Sequence, residues 1–162
     1  MKYSAGVLLW RRCGVDIQVL LGHPGGPFWQ RKDAGAWSIP KGEYGPDEDA
    51  HTAAVREFEE ETGVRLQGDL NPLGEVKQAG GKLVRIWARE QDCNPSDLRS
   101  NTFSIEWPPG SGASREFPEI DRFEWFSLEE AGIKLVKGQV VFLDRLKDLL
   151  VTHLQPKTTG PL

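Results

Sequence analysis

Between Glu57 and Glu61, four of five side chains are carboxylates. On a helix turning 100° per residue, Glu57, Glu60 and Glu61 fall within an arc of roughly 100°. Glu57 and Glu61 then stand one turn apart, a spacing at which like charges destabilise a helix by about 0.2–0.5 kcal/mol per pair. A helix ending at Gly63 would also put Glu60 and Glu61 in its last turn, where the dipole is negative and cations are preferred. The arrangement is unfavourable on both counts unless a cation sits there. Three carboxylates on one face are hard oxygen donors, suited to Mg²⁺ or Mn²⁺ rather than to zinc. Arg56, one turn before Glu60, is placed to orient one of them. An ordinary solvated acidic face is the competing account.

The elements that must hold this cluster can be read from hydrophobic periodicity and punctuation. "YSAGVLLWRR" reads as a strand, and "DIQVLLGH" as its hairpin partner across a turn at Gly14. "HPGGPFWQRKDAGA" is a loop carrying two aromatics, followed by a short extended piece at Trp37–Ile39. "GPDEDAHTAAVREFEEETG" is the helix, with Pro46 and three acids expected in its first turn and Gly63 just past its end. "RLQGDLNPLGEVKQ" and "KLVRIWARE" alternate as strands. Residues 91–118 are loop-like, with a strand "TFSIEW" embedded in them. "RFEWF" is a last strand, Ser127 caps a short helix, and "QVVFLDRLKDLLVTH" is an amphipathic helix. Strands alternating with helices predict an α/β fold with helices on both faces of a sheet.

Length and composition fit one domain, expected over residues 1–153, with residues 154–162 as a disordered tail. The net charge of −4 draws neither DNA nor an anionic membrane, so an anionic substrate needs local cations. The apolar run "AGVLLW" is too short for a signal-peptide core or a membrane span. Cys13 and Cys93 make neither a disulfide framework nor a metal cluster and suit a reducing cytoplasm. Nothing in the chain fixes the oligomeric state.

Gly42, five residues, Glu48, seven residues and then Arg56-Glu57-Phe58-x-Glu60-Glu61-x-Gly63-Val64 resembles the Nudix box at every specified position. The resemblance covers residues 3–150. It implies an α/β/α sandwich around a mixed β-sheet, and hydrolysis of a nucleoside diphosphate linked to another group by water attack at phosphorus. It further implies Glu57, Glu60 and Glu61 as metal ligands, with Glu57 also a candidate general base. The Gly42 carbonyl would join the metal sphere, and Glu48 would support the loop through hydrogen bonds.

The stretch "WSIPKGE" is similar to the Trp-x-x-Pro-Lys-Gly of the dinucleoside tetraphosphate hydrolases within that family. Pro40 would fix the turn there, and Lys41 would aim its ammonium at a polyphosphate. "EIDRFEWF" is similar to the same group, in which a glutamate six residues before a Trp faces the helix carboxylates. That position is Glu119, which the resemblance implies as an extra metal ligand or base, with Glu116 and Glu106 as rivals. Phe28, Trp29, Trp87, Phe103 and Trp107 are candidates to stack on a base, worth about 1–3 kcal/mol, and Trp37 is a further candidate for substrate binding. His23, at a strand end before the Gly-Pro loop, is read first as an ordinary surface histidine, with phosphate contact as the alternative, while His51 and His153 carry no signal.

Residues 91–118 depart from the tetraphosphate hydrolases by their length and form a candidate lid. The expected reaction is metal-dependent hydrolysis of a nucleoside polyphosphate, foremost a dinucleoside tetraphosphate. The alternatives are a pyrophosphatase for modified nucleoside triphosphates, a diphosphoinositol polyphosphate hydrolase and a nucleotide-binding module without activity. The last is disfavoured because every box residue is present.

Overall fold

The computed structural model describes residues 1–154, with no side-chain description at residues 153 and 154. The expected tail, from residue 155 onward, and the His153 side chain therefore lie outside the described residues. The elements are β1 (Tyr3–Cys13), β2 (Asp16–Pro24), β3 (Lys41–Tyr44), α1 (Ala50–Thr62), β4 (Asn71–Lys77), β5 (Leu83–Glu90), β6 (Thr102–Glu106), β7 (Ser114–Pro118), β8 (Ile120–Ser127), α2 (Leu128–Lys134) and α3 (Val141–Leu154).

Six strands form one sheet in the order β4-β5-β1-β2-β8, with β3 also paired to β1. The β1–β5 pair is parallel and the other pairings are antiparallel, so the sheet is mixed as expected. Side chains of period two on β1 divide the core. Leu8 and Trp10 join Phe142, Leu146 and Phe126 on one face, and Val7 and Leu9 join Ala54 and Phe58 on the other. Phe58 is fully buried, a burial worth about 1.5–3 kcal/mol. Helices thus cover both faces, giving the α/β/α sandwich.

One edge of β1 is shared. Its far half pairs β2 from Trp10 to Cys13, and its near half pairs β3 from Tyr3 to Gly6. Segment 38–40 enters where β1 and β2 part: the Val7 N–H donates to the Pro40 carbonyl at 3.2 Å, and the Gly22 N–H to the Ser38 carbonyl at 2.9 Å. The opening between paired strands is where Lys41 emerges.

Three local expectations change. α1 begins at Ala50, because Asp49 accepts from the Thr52 N–H at 3.1 Å and takes the cap. Pro46 and Glu48 consequently precede the helix instead of occupying its first turn. Gly63, at φ 76°, closes the far end as expected. Strand β3 carries a glycine among only four residues and gave no periodic signal. Within residues 91–118, "TFSIE" is not a lone strand; it pairs with "SREFP" from Thr102↔Pro118 to Glu106↔Ser114 as a separate two-stranded sheet. No helix among the described residues is long and apolar enough to cross a membrane.

Candidate active site

The acidic end of α1 faces β3. Glu57 lies so close under Gly42 that a Cβ at position 42 would collide with its carboxylate. Only glycine permits this approach of strand backbone to helix carboxylate. Burial raises the Glu57 pKa above the ordinary carboxylate value, and the Arg56 charge opposes that rise.

Arg56 ties three acids together. Its Nε and Nη2 donate to the two oxygens of Glu48 at 2.7 and 2.8 Å, and its Nη1 donates to Glu57 at 3.0 Å and Glu60 at 3.1 Å. A guanidinium fork suits this bidentate grip better than an ammonium would. The grip drives the Arg56 pKa further up and holds Glu48 below the usual carboxylate range.

Glu61 is 7% exposed and turns the other way, to the N-terminal end of β8. Burial lifts its pKa well above the carboxylate range, and the hydrogen bond and charge of Glu119 reinforce the rise. The two carboxyl groups line a cavity of about 190 Å³ together with Lys41, Ser38, Gly22 and Ile120. Burial pulls the Lys41 ammonium down to about 8, while Glu61 and Glu57 hold it up. A second cavity, of about 420 Å³, adjoins the first through Pro24, Ser38 and Lys41 and contains Trp29.

The structure therefore joins Glu61, Glu119 and Lys41, sets Glu57 against Gly42, and leaves Glu60 half-exposed in a neighbouring groove with His51 and Arg56. Among the described residues, no three His, Cys, Asp or Glu side chains stand close enough together to form a metal site. Arg56 occupies Glu57 and Glu60, while Glu61 is engaged with Glu119. The donors are nonetheless all carboxylate or carbonyl oxygen, the set a hard divalent ion takes. The rivals to Glu119 lie in the hairpin: Glu116 is within reach of Thr102 and Glu106 of the Gly112 N–H.

Two expected roles are corrected. Trp37 is 1% exposed, with its indole N–H donated to Asp33 at 2.8 Å and its ring edge-on to Phe126. It is a core side chain with no face for substrate. His23 is fully buried, not superficial: Nδ1 stands 2.8 Å from Asp121 and Nε2 2.6 Å from the Lys32 carbonyl. It ties the Gly-Pro loop to β8, and its place in the alternation of β2 was the available signal.

Trp29 is 43% exposed and faces the larger cavity, whereas Trp87 is core and covered by His51. Phe28 packs edge-on against Trp107, and Phe103 covers Gly26, so the hairpin braces the Trp29 loop.

A family model of the NUDIX domain matches residues 2–146. The chain belongs to the Nudix family. As a Nudix hydrolase it acts on phosphoanhydride bonds, and Nudix hydrolases use divalent metal ions. The fold is similar to that of a C. elegans Ap4A hydrolase in a binary complex, with TM-score 0.65 and 23% identity over 94% of this chain and 99% of that one. It is also similar to the NUDIX domain of Shewanella oneidensis NrtR complexed with ADP ribose, at TM-score 0.63 and 16% identity over 91% and 87%. A mutT/nudix family protein from Listeria innocua has TM-score 0.63 and 18% identity over 94% and 95%. At these identities the likeness is one of Nudix fold.

Proposed function

We propose that this Nudix hydrolase is a Mg²⁺- or Mn²⁺-dependent pyrophosphohydrolase of nucleoside polyphosphates, with a dinucleoside tetraphosphate as the preferred substrate. The supporting observation is the pair of adjoining cavities, one carrying Glu61, Glu119 and Lys41 and the other Trp29. A nucleoside on Trp29 would run its phosphates past Lys41 toward the carboxylates.

Glu57, Glu60, Glu61 and the Gly42 carbonyl would hold the metal, which supplies charge neutralisation at the phosphate oxygens and an activated water. Lys41 then binds a phosphate outside the metal sphere, with desolvation strengthening its attraction. Arg56 orients Glu57 and Glu60 while anchored to Glu48. Glu119, just ahead of β8 and hydrogen-bonded to Glu61, would serve as an extra metal ligand or as the base. Phosphoryl transfer asks mainly for this kind of positioning.

Chromatography of the products from diadenosine tetraphosphate, ATP, oxidised guanosine triphosphate and ADP-ribose tests the reading. ATP plus AMP from the first, lost on adding EDTA, is the expected result. Turnover confined to a mononucleotide, with pyrophosphate released, would move the substrate to the modified triphosphates.

A further inference from the structure

The cavity beside Trp29 holds more than a stacking surface. Its polar lining includes Ser38, Lys41, Gln78 and Gln139. Two of these are committed to one another. Gln139 is 2% exposed, accepts from the Ile39 N–H at 2.9 Å and donates to Ser38 Oγ at 3.1 Å. Ser38 Oγ donates in turn to the Ile39 carbonyl at 3.0 Å. Lys41 belongs to the phosphate side, beside the carboxylates. Among the described residues, no hydrogen bond engages the Gln78 carboxamide.

Gln78 opens the turn between β4 and β5. Its N–H donates to the Lys82 carbonyl at 2.7 Å, and its carbonyl accepts from the Gly81 N–H at 3.1 Å. The backbone is thus fixed while the side chain is free. That side chain lies along Gly138, where an added Cβ would come within 3.2 Å of the Gln78 amide nitrogen. The absence of a side chain at Gly138 leaves room for the carboxamide at the cavity wall.

We propose that this cavity is an adenine site in which Trp29 stacks on the ring and the Gln78 carboxamide reads its hydrogen-bonding edge. The inference rests on the nucleotide reading above and extends it to base identity. A carboxamide sets one donor beside one acceptor, the complement of adenine's N6 amino group and N7, an edge on which guanine presents two acceptors. Such a bidentate pair discriminates between bases by roughly tenfold or more. A carboxylate in the same place accepts only, and so complements the two adjacent donors on guanine, N1–H and the exocyclic amine.

Titration calorimetry with AMP and GMP, in the presence of Mg²⁺, measures the preference without turnover. The full chain should favour AMP by about tenfold. Gln78→Ala should bind the two within about twofold of each other, and Gln78→Glu should favour GMP. The diadenosine to diguanosine tetraphosphate ratio of kcat/KM should follow the same order. An equal AMP:GMP ratio in all three proteins, or no AMP binding by the unaltered chain, overturns the inference. Base preferences that shift as stated without any tetraphosphate turnover would overturn the proposed reaction and leave the adenine site standing.

Discussion

The backbone of Gly42 and the carboxylate of Glu57 occupy adjoining space with no room for a methyl group between them. Strand β3 thereby reaches α1 at the point where the helix is most acidic. Gly42→Ala should push the Glu57 carboxylate aside, and a displacement of about 1 Å can cost roughly a hundredfold in rate. Steady-state kinetics should show that loss in kcat, with far-ultraviolet circular dichroism unchanged. Wild-type kcat in the alanine variant would show that Glu57 has no part in the chemistry.

Trp29 and Trp37 should separate by assay. Trp37→Ala removes a core side chain that is 1% exposed and should cost about 3–5 kcal/mol in denaturant unfolding. Trp29→Ala should leave the unfolding midpoint in place and raise KM by roughly tenfold, the loss of a stacked base. Equal stability losses in the two variants would contradict the different roles assigned to them.

The helix cap predicts a pH dependence with a definite sign. The Thr52 N–H and hydroxyl hold the Asp49 carboxyl below its usual 3.8. A depressed pKa in the folded chain means that the charged form contributes its full stability above pH 3.8 and loses it as the pH falls further. Comparing Asp49→Asn with the unaltered protein isolates that charge, because asparagine still caps. The difference in melting temperature between the two should be constant near neutrality and shrink below pH 3.8. A difference that grows in acid would refute the assignment.

Cysteine reactivity should be one-sided. Cys13 is exposed, whereas burial pushes the Cys93 thiol up to about 11. Thiolate is the reacting form. Iodoacetamide at pH 8 should therefore label Cys13 in the folded protein and Cys93 only after denaturation, as peptide mapping would show. Rapid labelling of Cys93 in the native state would mean that its burial is transient.

Much of the fold was legible in local pattern. β1 and β2 carry consecutive apolar residues buried on both faces, β5 alternates over part of its length, and α1 ends at a glycine that takes φ 76°. Of the three acids after Pro46 it is Asp49 that caps the helix, so the start of α1 lies later than Pro46 suggested. Strand β7, "SREFP", has one half-buried residue and gains its pairing only from β6, so its sequence announced little. At the site, the spacing Gly42 to Val64 identified the acids of α1, but it did not reveal how Arg56 and Glu119 divide them. That division, like the burial of His23 and Trp37, arises from contacts between residues distant in sequence. Periodicity does not report those.

Catalysis at the buried carboxylates can be tested most directly with one substitution. Glu61→Gln preserves shape and hydrogen-bonding reach while removing the charge that a metal ligand needs. The measurement is kcat/KM for diadenosine tetraphosphate with saturating Mg²⁺, on variant and unaltered protein matched for melting temperature. A loss of two or more orders of magnitude is predicted, in line with the removal of a group that binds metal or moves a proton. Near-equal values, with Glu60→Gln equally active, would place the chemistry elsewhere.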